Sequence, residues 1–208
     1  MGLKDRTLDE FLAAVAAPTP TPGGGSVSAL AGACAVALAR MVAGLARGKK
    51  GFEARDADLV RIEEKARRLQ AELEDLITED ASAYEVVIAA MRMPRDTAAQ
   101  KAARVDAMQS AYRGATEVPL RIVEHSFEAL QLAEAALEAG NRSATTDAAV
   151  AILLAEAAIR GASLNCRVNL ASIRDESFRT TAEERLADFL RRADSVGHTA
   201  MAIVEGRL

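Results

Sequence analysis

The chain has 208 residues, half of them hydrophobic but only 3% aromatic, and its formal net charge is −4 from 26 basic and 30 acidic residues. This balance argues against a nucleic-acid partner, which would favour a clustered basic surface, and the scarcity of aromatic side chains argues against base stacking on single strands. The length suits one domain over residues 1–208, with a core built from Ala, Leu, Val, Ile and Met.

The two cysteines and the amino terminus bear on the cellular compartment. Cys34 and Cys166 lie far apart in apolar, helical stretches, so we expect two buried thiols in a reducing environment. The first ten residues, MGLKDRTLDE, are charged and do not form a basic segment followed by an apolar one. The sequence therefore predicts a cytoplasmic protein that does not associate with a membrane.

The first predicted element is a short amphipathic helix over residues 5–16. Its apolar side chains recur at helical spacing on one side: Leu8, Phe11, Leu12 and Val15. We expect the helix to stop at PTPTPGGGS, residues 18–26, because no helix crosses three prolines and three glycines.

The second predicted helix covers residues 26–47 and is apolar nearly all round, which indicates burial on most sides. A membrane span is disfavoured because Arg40 interrupts the run and most of its apolar residues are small Ala and Gly. Small residues instead permit close backbone approach in a tight bundle or at a subunit interface. The helix ends at GKKG, residues 48–51, where glycine and cations suit a carboxyl terminus.

A long helix follows over residues 56–91 and stops at Pro94. Residues 97–139 are then helical, with Pro119 inside the segment. Because proline removes a backbone donor and clashes with the preceding turn, it should kink or divide this helix near Val118.

Two helices complete the chain after a stop at Gly140 and Asn141. One covers residues 145–172, and the last covers residues 181–205, where Thr181 with Glu184 three positions later forms a predicted capping box. Alternating strand patterns and internal repeats are absent from the sequence. We therefore predict an all-α, single-domain antiparallel helical bundle with one long helix and small-residue helices at the core and subunit interface.

Asp80 falls on an apolar helix face where a core residue is expected. At about 100° per residue, the face of helix 56–91 is formed by Leu59, Ile62, Ala66, Leu69, Leu73, Leu76 and Ile77. Asp80 continues this face, followed by Tyr84, Val87 and Met91. A buried carboxylate must shift its pKa, find a partner or face a wet pocket. The pattern leaves two alternatives open: an ion pair with an arginine such as Arg40, or an acid, base or charge stabiliser in a cleft.

Asp147 and Asn165 form a second polar pair on an otherwise small-residue face. They are 18 residues apart, which is five helical turns, so they point the same way. Between them lie Ala151, Leu154, Ala158 and Gly161, and Asn169 and Ser172 extend the face. This face could form a groove for a flat polar ligand, although the pattern favours close helix packing with Asp147 near a helix amino terminus.

The turn Gly23-Gly24-Gly25-Ser26 leads directly into a helix, so its N–H groups could bind an anion such as a carboxylate. It lacks the Gly-Lys-Ser/Thr of a P-loop and no predicted strand precedes it, which argues against a nucleotide site, and a tight turn with a serine cap explains it equally well. The two histidines are isolated and neither has a metal-ligand spacing. If the protein is an enzyme, carboxylates and amides must therefore do the chemistry without a metal.

These segments together resemble the formiminotransferase-cyclodeaminase C-terminal domain family, which includes stand-alone bacterial methenyltetrahydrofolate cyclohydrolases. The matching pieces keep their order along the chain: PGGGS at 22–26, MV at 41–42, GKK at 48–50, Asp80 with AY at 83–84, Pro94, VPL at 118–120, GN at 140–141, TDA at 146–148, Asn165, NL at 169–170 and Asp175. Two positions depart from the family pattern. Thr78 stands where some relatives carry a second acid, and Arg167 stands where relatives often carry an uncharged residue.

The resemblance implies an all-helical fold, a homodimer or larger homo-oligomer, and a folate site partly shaped by a neighbouring subunit. It implies that Asp80 is the catalytic candidate. For holding the pterin or glutamate parts of a tetrahydrofolate substrate, we select residues from three parts of the chain: Gly23, Gly24, Gly25 and Ser26, then Lys49, and then Asn141, Asp147 and Asn165. No bound cofactor is expected.

The implied reaction is hydrolysis of methenyl-tetrahydrofolate to formyl-tetrahydrofolate, a cyclohydrolase activity. A carboxylate in a partly dry pocket could attract the cationic substrate, take a proton from the attacking water and later return it. One alternative is a formimidoyltetrahydrofolate cyclodeaminase that releases ammonia. Another is a non-catalytic helical folate-binding or assembly protein. Cyclohydrolase is preferred because the chain has the length of one domain.

Overall fold

The computed structural model describes residues 2–208, and within them the chain forms six α-helices and no β-strand. The helices are α1 Leu8–Ala16, α2 Gly24–Ala46, α3 Asp56–Met91, α4 Ala98–Ala139, α5 Thr145–Leu170 and α6 Glu176–Glu205. Short 3-10 turns precede three of them: Leu3–Asp5, Glu53–Arg55 and Arg142–Ala144. The predicted all-α fold is confirmed, although two helices are long, with 36 residues in α3 and 42 in α4.

From α2 to α6, helices that follow one another in the chain run antiparallel. The start of α2 meets the later part of α3, where Ser26 bonds to Asp80, and the end of α2 meets the start of α3, where Arg47 pairs with Glu63. Helix α2 packs against α3, α4 and α5, while α4 packs against α3, α5 and α6. Helices α2 and α4 therefore form the centre of the bundle, and α6 packs on α4 and α5.

The apolar face predicted along α3 lies in the core. Its members are at most 6% exposed: Leu59, Ile62, Ala66, Leu69, Leu73, Leu76 and Ile77. Full burial of one such aliphatic side chain stabilises the fold by about 1.5–3 kcal/mol, so this face fixes the rotation of α3 about its axis. That rotation turns the next member, Asp80, inward as well.

Helix α4 is continuous through Pro119, so of the two predicted effects of this proline, a kink or a division of the helix, the division is wrong. Proline has no N–H to give to the carbonyl of Ala115, four residues earlier. The side-chain amide of Asn169 on α5 donates to that carbonyl instead, at 2.5 Å. A neighbouring helix thus satisfies the freed carbonyl, which is how proline is tolerated inside a helix.

Two helix starts differ from their predicted positions. Helix α2 begins at Gly24, so two glycines of the turn belong to its first turn. Helix α6 begins at Glu176, because the Asp175 carboxylate accepts from the Phe178 N–H at 3.0 Å and caps it. Thr181 lies inside this helix, where its hydroxyl donates to the Ser177 carbonyl, so its predicted capping role is wrong.

Some apolar residues on the predicted helix faces are exposed to solvent. Leu8 and Leu12 on α1 are exposed, and Cys34 on α2 is exposed while Cys166 on α5 is buried. The expectation of two buried thiols is therefore wrong for Cys34. By length and composition α2 and the segment Arg142–Leu170 could each cross a membrane, yet both pack in the bundle with half of their most apolar stretch buried.

Candidate active site

Asp80 sits against the amino terminus of α2. Its Oδ2 accepts a hydrogen bond from the Ser26 hydroxyl at 3.0 Å. A Cβ placed on Gly25 would lie 2.0 Å from Oδ1 and 2.5 Å from Cγ of Asp80, so the carboxyl group occupies space that any side chain at position 25 would fill. The glycine turn therefore contacts a carboxylate of the protein itself, that of Asp80.

The surroundings of Asp80 hold its carboxyl group closer to neutral than usual. Burial raises the pKa of Asp80 above the ordinary 3.8, and the hydrogen bonds from the Ser26 hydroxyl and backbone N–H lower it only in part. No arginine contributes to this shift, and Arg40 does not pair with Asp80. Of the two alternatives for a carboxylate on an apolar face, the ion pair is absent.

A cleft of about 300 Å3 opens beside Asp80, where four helices and one loop converge. The loop before α2, the first turn of α2, the later part of α3, one residue of α4 and the end of α5 form its walls: Pro20, Thr21, Gly23, Gly24, Gly25, Asp80, Tyr84, Ala115, Asn165, Val168 and Asn169. The structure thus brings the glycine turn, Asp80 and Asn165 together in one site. Asn169, which also lines the cleft, was not among the selected binding residues.

Two amides of α5 face this cleft with their oxygens free. Asn165 donates from Nδ2 to the Gly161 carbonyl of its own helix at 3.0 Å. Asn169 donates from Nδ2 to the Ala115 carbonyl of α4 at 2.5 Å. Each donation uses the amide nitrogen and leaves Oδ1 as an acceptor. Asn169 could have been found from the sequence, because it continues the helix face that carries Asn165 by one further turn.

The remaining predicted binding residues lie at the other end of the molecule. Lys49 is exposed in the loop that follows α2, and Asn141 caps the turn before α5 by accepting from the Ser143 N–H at 3.0 Å. Asp147 is in the first turn of α5. At 1.5 Å per residue, the 18 residues between Asp147 and Asn165 span about 27 Å. One chain therefore does not bring Lys49, Asn141 or Asp147 to Asp80.

Thr78 lies on a different side of α3 from Asp80. Its hydroxyl accepts from the Leu3 backbone N–H at 3.0 Å and so holds the amino-terminal 3-10 turn against α3. The position at which some relatives carry a second acid therefore faces the amino-terminal segment of this chain. Asp80 is the carboxylate that α3 turns toward the cleft.

A larger cleft of about 610 Å3 lies between the start of α3 and the end of α4, far from Asp80 along both helices. Three of its charged side chains, Arg55, Asp58 and Arg61, already have partners. The Arg55 guanidinium donates to the Glu138 carbonyl at 3.0 Å, and Arg61 pairs with Asp58. This cleft contains none of the residues that the sequence singled out, and the smaller cleft with a buried, unpaired carboxylate is the better site for chemistry.

The chain matches known proteins over nearly its whole length. The model of the family described as formiminotransferase-cyclodeaminase matches residues 7–188. A methenyltetrahydrofolate cyclohydrolase of Methylorubrum extorquens is 40% identical over 184 residues, which cover 88% of this chain and 87% of that protein. A formimidoyltransferase-cyclodeaminase of Sus scrofa is 31% identical over 208 residues, and the chain spans 38% of its length.

A solved structure has the same fold. The crystal structure of formiminotetrahydrofolate cyclodeaminase from Thermotoga maritima superposes with a TM-score of 0.89 at 30% sequence identity, and the match covers 98% of both chains. The likeness extends over all the helices that build the cleft.

Proposed function

Since the chain belongs to the formiminotransferase-cyclodeaminase family, we propose that it is a folate-dependent enzyme that hydrolyses methenyl-tetrahydrofolate to formyl-tetrahydrofolate. The observation that carries the proposal is Asp80: a largely buried carboxylate without a cationic partner, opening into a cleft. The cyclohydrolase activity is preferred because the 40% identical relative, of which the chain covers 87%, bears that name.

The charge of the cleft suits a cationic substrate. The cleft wall contains a carboxylate and two amide oxygens but neither lysine nor arginine. Methenyl-tetrahydrofolate carries a positive charge delocalised over an amidinium group. Attraction between that charge and Asp80 is stronger in a partly dry cleft than in water, which favours binding of the cation and ionisation of the carboxyl group together.

Asp80 acts in two steps of the proposed reaction. Water attacks the bridging carbon of the amidinium, and the Asp80 carboxylate takes the proton that the water loses. The tetrahedral adduct then breaks one carbon–nitrogen bond, and the same carboxyl group returns the proton to the departing ring nitrogen. The hydroxyl proton of the adduct is released to water as the formyl carbonyl forms. The formyl group remains on the other nitrogen, and Asp80 is again ionised. A carboxylate whose pKa is raised takes the proton from the attacking water more readily than an ordinary one.

The cyclodeaminase reaction is the second candidate, and the names of the Sus scrofa and Thermotoga maritima relatives favour it. It uses the same carboxyl group to deliver a proton to departing ammonia. Separate assays of methenyl- and formimino-tetrahydrofolate distinguish the two activities. Release of ammonia from the formimino substrate without turnover of the methenyl substrate would reverse our preference.

Asp80→Asn tests the role of the carboxylate. Loss of a general acid–base group lowers turnover by roughly 10²–10⁴-fold. The isosteric amide also removes a buried charge, so we expect the melting temperature to stay the same or rise. Glu79→Gln is the matched control, because Glu79 is next in sequence but is half-exposed and paired with Arg121. A lower melting temperature with unchanged turnover per folded molecule would assign Asp80 a structural role.

We further propose that the chain forms a homodimer through α2 and α5. These antiparallel helices expose a continuous apolar face: Val27, Cys34, Met41, Leu45, Val150, Leu153, Leu164 and Val168. Monomeric proteins rarely expose an apolar patch of this extent. A face of two antiparallel helices is complementary to itself under a two-fold rotation, so a second copy of this chain is the occupant that fits. We also propose that the protein is cytoplasmic.

A two-fold axis across the middle of that face would place the end of each subunit opposite its own cleft over the cleft of the other subunit. Lys49, Asn141 and Asp147 would then serve the site of the partner, which reconciles their distance from Asp80 with a binding role. The tetrahydrofolate substrate would lie between the subunits, with its reactive carbon at Asp80.

Co-expression of Asp80→Asn with Asp147→Asn tests this arrangement. Each variant alone lacks one component of every site. A mixed dimer contains one site with both residues intact, so random mixing should restore about a quarter of the wild-type turnover. Recovery at that level supports a shared site. Activity of the mixture equal to the mean of the separate variants would contradict it.

A further inference from the structure

The starting observation is a proline in the interior of α4 directly behind the cleft. Pro119 is buried, and Ala115, whose carbonyl it leaves without a backbone donor, is 5% exposed and lines the cleft. The donor that reaches this carbonyl comes from 54 residues away, the Nδ2 of Asn169 on α5. The proline therefore creates the hydrogen-bonding partner of a residue in the candidate active site.

This bond determines the orientation of the Asn169 amide. A carbonyl oxygen only accepts, so the group that faces Ala115 must be the NH2 end. The oxygen Oδ1 is consequently the end that remains, and no residue in the range 2–208 donates a hydrogen bond to it. Asn169 is 9% exposed and lines the cleft, which leaves its free acceptor facing the space beside Asp80.

We propose that Asn169 selects the substrate by accepting a hydrogen bond from an N–H group of the ligand, and that Pro119 is the positioning residue that holds Asn169 in this orientation. The ligand class is a heterocycle that carries an N–H edge near a cationic centre, as a reduced pterin does. The folate probe used below rests on the proposed function, whereas the coupling of Pro119 to Asn169 does not.

Loss of the hydrogen bond between the ligand and Asn169 should weaken substrate binding more than it slows the chemical step. Asn169 lies beside the cleft without touching the Asp80 carboxylate, and a hydrogen bond made equally in the bound and reacting states changes KM rather than kcat. Asn169→Leu should raise KM for methenyl-tetrahydrofolate by about tenfold, the worth of one neutral hydrogen bond, with kcat changed by less than about threefold.

Pro119→Ala perturbs the same amide without touching the cleft wall. Alanine restores the backbone N–H that bonds to the Ala115 carbonyl, so the helix competes with Asn169 for its acceptor. The amide then loses its fixed orientation and KM should rise. Gly114→Ala is the matched control in α4, because a Cβ there meets no atom within 4 Å and leaves the Ala115 carbonyl unchanged.

The double variant tests the coupling. If Pro119 acts through Asn169, combining Pro119→Ala with Asn169→Leu raises KM no further than Asn169→Leu alone. Thermal unfolding provides a readout independent of activity: Asn169→Leu should lower the melting temperature less in the Pro119→Ala background than in the wild type, because Ala115 then has a backbone donor. Additive changes in both KM and melting temperature would overturn the positioning role.

The outcomes separate this inference from the proposed function. A wild-type protein that turns over methenyl-tetrahydrofolate with KM unchanged in Asn169→Leu overturns the selecting role of Asn169 alone. A wild-type protein that neither turns over nor binds this folate, by equilibrium dialysis, overturns the proposed function and with it the ligand assigned to Asn169. The melting temperatures of the four proteins still decide whether Pro119 positions Asn169.

Discussion

Replacing Gly25 with alanine would place a methyl group inside the space that the Asp80 carboxyl group occupies. The new Cβ would lie 2.0 Å from Oδ1, 2.5 Å from Cγ and 2.6 Å from Oδ2, whereas real Cβ contacts shorter than 3.0 Å are essentially never seen. The closest pair must therefore separate by at least about 1 Å. Misplacement of a reacting group by 1 Å can lower a rate by about 10²-fold, so we expect kcat/KM to fall by at least that factor.

The stability of Gly25→Ala depends on two opposing terms. Alanine in a helix is favoured over glycine by about 1 kcal/mol. Overpacking costs about 1–3 kcal/mol, but Asp80 borders an open cleft and can move into it. We therefore expect a change in melting temperature of a few degrees at most, together with a large loss of turnover.

The assay follows the disappearance of the methenyl chromophore, with the uncatalysed hydrolysis subtracted. Gly114→Ala serves as the control, since it makes the same chemical change in a helix with open space around it and should be more stable and fully active. Gly24→Ala gives an intermediate case, because its Cβ would make only an ordinary contact at 3.6 Å with Asn165. A fully active Gly25→Ala enzyme would refute the reasoning, since Asp80 would then work from a displaced position.

Two further predictions concern pH. Because burial raises the pKa of Asp80 and the carboxylate is the reactive form, kcat/KM should fall as pH drops through a value above the ordinary 3.8. The gain in melting temperature from Asp80→Asn should be full above that raised pKa and fade as pH falls toward 3.8. A difference in melting temperature between the two proteins that does not change with pH would contradict the second prediction. Hydrogen bonds from the Ser177 hydroxyl and the Phe178 N–H, with Arg113 nearby, lower the pKa of Asp175 to about 2. Asp175→Ala should therefore lower the melting temperature at neutral pH, with the difference lost as pH falls from 3.8 to about 2, whereas Thr181→Ala should show no such pH dependence.

The fold was predictable because helical periodicity is a local property of the sequence. The α3 face from Leu59 to Ile77 could be read at 100° per residue, and the bounds of α3 at 56 and 91 followed from it. The start of α6 was missed because two residues can both cap a helix on sequence grounds. Asp175 is the actual cap, because its carboxylate accepts from the Phe178 N–H. The same carboxylate also pairs with Arg113 on α4, a contact that no local pattern reveals.

The candidate site was only partly predictable, since a shared helix face shows that side chains point the same way but not that they lie close together. Asp147 and Asn165 share a face of α5, and the same geometry that aligns them separates them by about 27 Å. The bond between Asn169 and the Ala115 carbonyl joins residues on different helices, so periodicity placed Asn169 on the face of Asn165 but did not identify its partner. Pro119 was predicted to kink or divide α4. The helix continues through it, and the Asn169 amide of α5 supplies the donor that the Ala115 carbonyl lacks.

Three departures from ordinary helix construction meet in this one cleft. Gly25 stands in the first turn of α2, Pro119 in the interior of α4 and Asp80 on the apolar face of α3, and each by itself lowers the stability of the fold. Each also supports another member of the site: Gly25 leaves the space that Asp80 fills, and Pro119 leaves the carbonyl that Asn169 uses. Residues that depart from helix propensity or from apolar patterning without a separate structural benefit are expected to cluster at functional sites. Their convergence from three helices is a reason, independent of any relative, to place the chemistry at this cleft.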